Sequence, residues 1–182
     1  MVKESLFYLY YFFLIFFRGA FKDGDGVKII TKRFEGNFKD GHRHGQGVFI
    51  LGNGDTYSGE FVRGHYHGVG TLSLHTGDSY TGNWKVGRPS GKIKIEYSNG
   101  DVYEGETLIG KYDGKGRLIF KNSMGEYDGG WKRGLAHGKG TRIYANGSKY
   151  VGDYSEGEID GQGIMFFVNG DQYVGECFSA YV

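Results

Sequence analysis

Two histidine pairs, His42-x-His44 and His65-x-His67, are spaced as neighbouring ligands of a metal ion would be. Gly-x-Gly elements, of the kind that cradle phosphate, recur along the same chain. Neither signal completes a site. A tetrahedral metal centre needs further cysteine, histidine or carboxylate ligands, and no such set accompanies either pair. A phosphate loop leads into a helix, whose N-terminus receives the anion; here each Gly-x-Gly leads into a strand-like alternation. The lone Cys177 has no histidine in its own segment, and Gly-x-Ser-x-Gly does not occur. Carboxylates such as Glu60 and Glu106 fall at polar strand positions, where exposure to solvent is the default. The expectation is a non-enzyme with no catalytic residue, no metal and no cofactor.

The candidate residues share a place in a larger pattern. The aromatics Phe34, Tyr57, Tyr80, Tyr103, Tyr127, Tyr150 and Tyr173 follow one another every 23 residues, once every 24. His44, His67 and His137 occupy one position of that period. Five of the six full units open with an aromatic-x-Gly-x-aromatic stretch: "FEGNF", "YSGEF", "YTGNW", "YDGGW", "YVGDY". In a strand both rings and the intervening glycine share one face. Polar residues such as Glu35, Asn37, Ser58 and Glu60 take the other. A turn ending in His-Gly-x-Gly is expected next, then a second alternating strand (Phe49 and Leu51; Leu72 and Leu74; Leu118 and Phe120). Asn53-Gly54, Asn99-Gly100, Asn146-Gly147 and Asn169-Gly170 close the units, Asn-Gly being the strongest short hairpin signal. The fold class predicted is all-β: an elongated, single-layer antiparallel sheet of consecutive hairpins, each about 23 residues long.

The pattern Tyr-x-Gly-x-(Trp/Phe)-x-x-Gly-x-x-His-Gly-x-Gly, ending in Asn-Gly-Asp, resembles the MORN repeat (membrane occupation and recognition nexus). Six full copies and a partial seventh make residues 34–182 the repeat array. "FRGAFKDG" makes residues 17–33 a degenerate copy. The third unit departs from the motif at Ser90 and Ile93, and the fourth at Thr107 and near Met124; irregularity or a bend is expected there. The resemblance implies a non-catalytic scaffold for protein–protein interaction, cytoplasmic and associated with cytoskeletal or membrane structures. It also leaves open a regulatory piece of a larger enzyme, such as a phosphoinositide kinase or a SET methyltransferase.

Two surfaces are candidates. A single sheet has no second layer over its aromatic face, so Phe38, Phe61, Trp84, Trp131 and Tyr154 are expected to line a shallow partner groove. A peptide or helix would lie in it. The hairpin tips gather Lys39, Arg43, Arg63, Lys85, Arg88, Lys132 and Arg133 along one edge, a lipid or anion edge able to rest on anionic phospholipid. The aspartates of the Asn-Gly-Asp turns lie along the other. A second copy pairing on the last strand would give a homodimer.

Composition sets the remaining bounds. The chain has 182 residues, 35 of them glycine and one proline, with 17% aromatics. That is too aromatic for a linker. The net charge of +1 gives no bulk attraction to nucleic acid. A single cysteine suits a reducing compartment. Residues 1–16 form an apolar N-terminal segment, shorter than the roughly 20 residues a membrane helix needs. It reads as a cap on the first hairpin, an interfacial anchor, a signal sequence or a misassigned start.

Overall fold

The computed structural model describes residues 15–23, 26–121 and 125–178, with side chains from Lys32 onward. The reading of the apolar segment up to residue 14 lies outside the described residues.

Among the described residues fourteen strands follow in chain order: β1 (Ile15–Asp23), β2 (Gly26–Lys39), β3 (His42–Ile50), β4 (Thr56–Val62), β5 (His65–Ser73), β6 (Ser79–Lys85) and β7 (Arg88–Glu96). They continue as β8 (Val102–Leu108), β9 (Lys111–Phe120), β10 (Gly125–Lys132), β11 (Leu135–Ile143), β12 (Lys149–Ser155), β13 (Glu158–Phe166) and β14 (Gln172–Phe178). Each pairs antiparallel with the next, so sheet order equals sequence order. At a spacing of about 4.8 Å, the ribbon is roughly 60 Å long. Of the degenerate copy at 17–33, residues 17–23 fall on β1 and 26–33 on the first part of β2. β2 runs unbroken from Gly26 into Phe34, because this short stretch has no Asn-Gly turn before the first full unit.

The two kinds of turn divide the work differently from the sequence expectation. The two-residue hairpin turns are at the tips, at pairs such as Arg63-Gly64, where both residues have positive φ (48° and 83°). That geometry matches the right-handed twist of the flanking strands. The Asn-Gly turns are longer. At Leu51–Asp55 only Gly54 has positive φ (96°). Gly54 N–H bonds to Leu51 O at 3.0 Å, and the Asn53 side chain accepts the Asp55 amide at 3.2 Å. Asparagine contributes a side-chain acceptor here, not tolerance of a left-handed backbone.

His-Gly-x-Gly is likewise not the end of a turn. It lies inside the second strand, where His44, Gly45 and Gln46 of β3 together face the single Asn37 of β2. This is a bulge. Gly45 takes φ +68° there.

The second glycine of His-Gly-x-Gly pairs with the central glycine of the aromatic strands on both sides. The result is one row across the sheet: Gly36, Gly47, Gly59, Gly70, Gly82, Ile93, Gly105, Gly116, Gly129, Gly140, Gly152, Gly163 and Gly175. Aromatic rings fill the space the missing side chains leave. A Cβ on Gly70 would lie 2.2 Å from the Tyr57 hydroxyl and 2.5 Å from its Cζ. Tyr103, Tyr127 and Tyr150 cover their glycine pairs in the same way.

The row is broken once, at Ile93. Its neighbourhood holds the other departure. Thr107 stands where an aromatic is expected and is diagonal to Ile93 on the same face, since Gly91 pairs with Thr107 and Ile93 with Gly105. Both are buried, and the Thr107 hydroxyl donates to Gly91 O at 3.1 Å. A larger residue in the row and a smaller one beside it compensate in volume, and strand pairing continues through both. The irregularity expected at Ile93 and Thr107 is therefore one of side chains, whereas the expectation near Met124 lies outside the described residues. Tyr80, displaced from its place over the row, turns towards Tyr97 (ring centroids 6.5 Å apart).

Candidate functional site: the aromatic face

The rings of successive units interlock. Tyr57 stacks on Tyr66 at 3.8 Å and meets Phe61 and Trp84 edge-on at 5.1 and 5.5 Å. Tyr103 repeats the stack with Tyr112 at 3.7 Å, and Trp131 closes on both. The indole N–H groups of Trp84 and Trp131 donate to Gly70 O and Gly116 O, each at 2.9 Å. Phenol hydroxyls donate three residues ahead: Tyr103 to Glu106 O at 2.7 Å, Tyr127 to Gly130 O at 2.8 Å. Burial pushes the Tyr57, Tyr127 and Tyr150 phenols up to about 12, and those of Tyr103, Tyr112 and Tyr154 up as well.

This interlock corrects the expected groove. Phe61, Trp84 and Tyr154 are buried, Trp84 only 4% exposed. Phe61 and Tyr154 slot between rings of their own unit and the one before, and Trp84 packs on the Tyr57–Tyr66 stack of the unit before it, so the sheet covers much of its own face without a second layer. Trp131 is half-buried, and Phe38 is exposed at 38%. Among the described residues two concavities stand out on this face. One, of about 440 Å³, is lined by Phe120, Trp131, Leu135, Arg142, Tyr144 and Tyr154 among others. The other, of about 300 Å³, is lined by Phe34, Phe38, Arg43 and Phe49 with Lys32 and His42.

The basic edge also needs one correction. Lys39, Arg63, Lys85, Arg88, Lys132 and Arg133 are exposed at or beside the tips. Arg43 is not among them. Its side chain turns onto the aromatic face, with the guanidinium 4.0 Å from the Phe49 ring centroid and 5.4 Å from that of Phe61. On the opposite edge the turn aspartates hold structure. Asp55 accepts the His75 amide at 2.9 Å, Asp78 that of Ser98 at 2.8 Å, and Asp101 that of Lys121 at 2.9 Å. Each turn is thereby tied to the next. The His75 and Asn53 bonds hold the Asp55 carboxyl below the usual carboxylate range. The tips are tied too: Gly64 N–H bonds to Arg43 O and Gly87 N–H to Tyr66 O, each at 2.9 Å.

The second face is less polar than expected in the last units. Thr141, Val151, Ile164 and Val174 form one cross-strand row, beside a shallow depression of about 700 Å³. Elsewhere Glu60 and Glu106 reach over the bulge glycines Gly68 and Gly114, and Glu106 accepts the Lys115 amide at 3.3 Å. Among the described residues no cluster of three metal-ligating side chains occurs, and no helix is long and apolar enough to cross a membrane.

The glycine row under a lattice of rings, renewed in each hairpin, is matched by comparison with known families. The MORN-repeat family model fits residues 34–56, 57–79, 80–102, 103–124, 127–149 and 150–172. The chain belongs to the MORN-repeat family. Such MORN arrays are repeat proteins commonly engaged in protein or membrane interactions, and an all-β MORN array is typically non-catalytic. Comparison with curated proteins returns no significant match.

Proposed function

We propose that this MORN array is a non-catalytic scaffold that binds protein partners on its aromatic face. It is cytoplasmic and works at cytoskeletal or membrane-apposed structures. The observation that supports this most directly is that a single-layer sheet leaves two ring-lined concavities open, one at each half of the array. Concave apolar surface on a long rigid element suits a helix or an extended segment laid along it. The non-catalytic reading is supported by the titratable groups whose acidity is shifted. They are chiefly phenols, moved away from neutrality by ring burial.

Affinity capture with the tagged chain tests the scaffold reading. It is run beside a Phe38→Ser, Leu135→Ser double variant, which changes one exposed side chain in each concavity. Specific partners are expected with the native chain and lost with the variant at unchanged thermal stability. Retention of the same partners by the variant sinks the reading.

A second reading rests on the exposed tip cations. Six of them share one edge, and each cation near an anionic membrane contributes about 1 kcal/mol. Sedimentation with anionic vesicles, abolished by Arg63→Glu, Lys85→Glu and Arg133→Glu together, is its expected signature.

A further inference from the structure

Arg43 is out of keeping with its place in the repeat. The corresponding residues of the following units are Tyr66, Pro89, Tyr112, Ala136 and Ile159, none of them charged. Tyr66 and Tyr112 stack there on the first tyrosine of their unit. In the first unit a guanidinium takes that place, among Phe34, Phe49 and Phe61 at 5.9, 4.0 and 5.4 Å from their ring centroids.

Among the described residues its polar contacts are few. One amino group donates to Gly64 O at 3.0 Å, and a guanidinium has five N–H donors. The other charged or titratable lining groups of the concavity are Lys32 and His42, and no carboxylate lines it among the described residues. Asp40 is exposed at the tip, and Glu35 pairs with Arg33. Half-buried cations are ordinarily matched by an anion. Here desolvation by the rings lowers the Arg43 pKa.

We propose that this concavity receives the carboxylate of an acidic side chain on a protein partner, with an apolar residue beside that acid packing on Phe38. The proposal rests on the protein-scaffold reading and specifies the chemistry of one contact. A flat carboxylate fits the guanidinium fork. A volume of about 300 Å³ walled by phenylalanine accepts one or two side chains. A phosphate dianion would surrender more hydration in such walls, and a membrane surface would first meet the projecting tips. The protein carboxylate is therefore favoured over a lipid headgroup.

The test uses the full chain and three probes. The first is a short capped, fluorescently labelled peptide of alternating aspartate and phenylalanine. The second is its counterpart with asparagine for every aspartate. The third is a set of phosphatidylcholine vesicles with and without phosphatidylserine. Saturable binding of the acidic peptide is expected, about tenfold tighter than the amide peptide. Arg43→Tyr restores the residue of the second and fourth units and should remove that preference with the fold intact. Arg43→Gln provides the same reading should the tyrosine variant fail to fold. Equal binding of the two peptides, no saturable binding, or a preference that survives at position 43 overturns the proposal. So does vesicle binding that requires phosphatidylserine and is lost in Arg43→Tyr, since the anion would then be a headgroup. If partner capture succeeds while the peptide preference is absent, the scaffold reading stands and this one falls; if capture fails outright, the scaffold reading falls on its own account.

Discussion

The phenol ring of Tyr57 occupies the space where Gly70 would carry a side chain, its hydroxyl 2.2 Å from the ideal Cβ position. The contact recurs with Tyr103 over Gly116, Tyr127 over Gly140 and Tyr150 over Gly163. It explains two requirements of the motif at once, a ring at the start of the unit and glycine thirteen residues later.

Gly70→Ala should therefore act as overpacking. The ring or the strand must shift, at a cost of about 1–3 kcal/mol, read as a lower urea midpoint. Gly41→Asn is the matched control: a Cβ there meets nothing within 4 Å, and asparagine tolerates positive φ. It should move stability by no more than about 0.5 kcal/mol. Equal losses at the two positions would show that backbone freedom, not ring placement, dictates glycine in the row.

Ile93 and Thr107 should be coupled. Ile93→Gly opens a cavity and should lower stability by about 2–5 kcal/mol, and Thr107→Trp overfills the adjoining space at about 1–3 kcal/mol. Together they restore the regular pattern, and the double variant should lose clearly less than the two singles combined. Simple additivity in this double-mutant cycle would refute the compensation.

Trp84→Phe keeps a ring but leaves the Gly70 carbonyl without its indole donor. A loss of about 1–3 kcal/mol is expected, and calorimetric or denaturant unfolding measures it. An unchanged midpoint would mean that the ring alone matters at this position.

Alkaline pH should unfold the array cooperatively. Tyr57, Tyr127 and Tyr150 have folded-state pKa values pushed up to about 12, against about 10 when unfolded. The folded chain holds these protons longer, so their stabilisation is complete below pH 10 and is lost as pH rises towards 12. Phenolate absorbance should appear for these tyrosines together with loss of β-sheet ellipticity. Early titration at pH 10 with the sheet intact would contradict the burial. Asp55 acts in the opposite sense: its lowered pKa gives stability present above about pH 4 and lost on acidification. Asp55→Asn should flatten that acid limb.

The period made the hairpins, the aromatic face and the role of glycine beneath the rings legible in the sequence. The turn types were not, because Asn53-Gly54 and Arg63-Gly64 differ in loop length, which composition does not reveal. The burial of Phe61 and Trp84 was missed for a related reason. Counting layers exposes a one-sheet face, whereas large rings offset by one unit shield one another. Arg43 could have been placed from the sequence. Its alignment with Tyr66 and Tyr112 puts it on the ring face, but its charge invites grouping with Lys39 and Arg63. Register is the stronger guide, since a residue's face in a strand follows from its position and not from its polarity.

The ties from turn to turn reach only one unit ahead, Asp55 to His75 and then Asp78 to Ser98. A whole copy could thus be spliced in or cut out with its neighbours' contacts remade at the new junction. The molecule is in that sense a ruler graduated in steps of about 10 Å, and the distance between any two anchoring points on it is set by how many copies separate them.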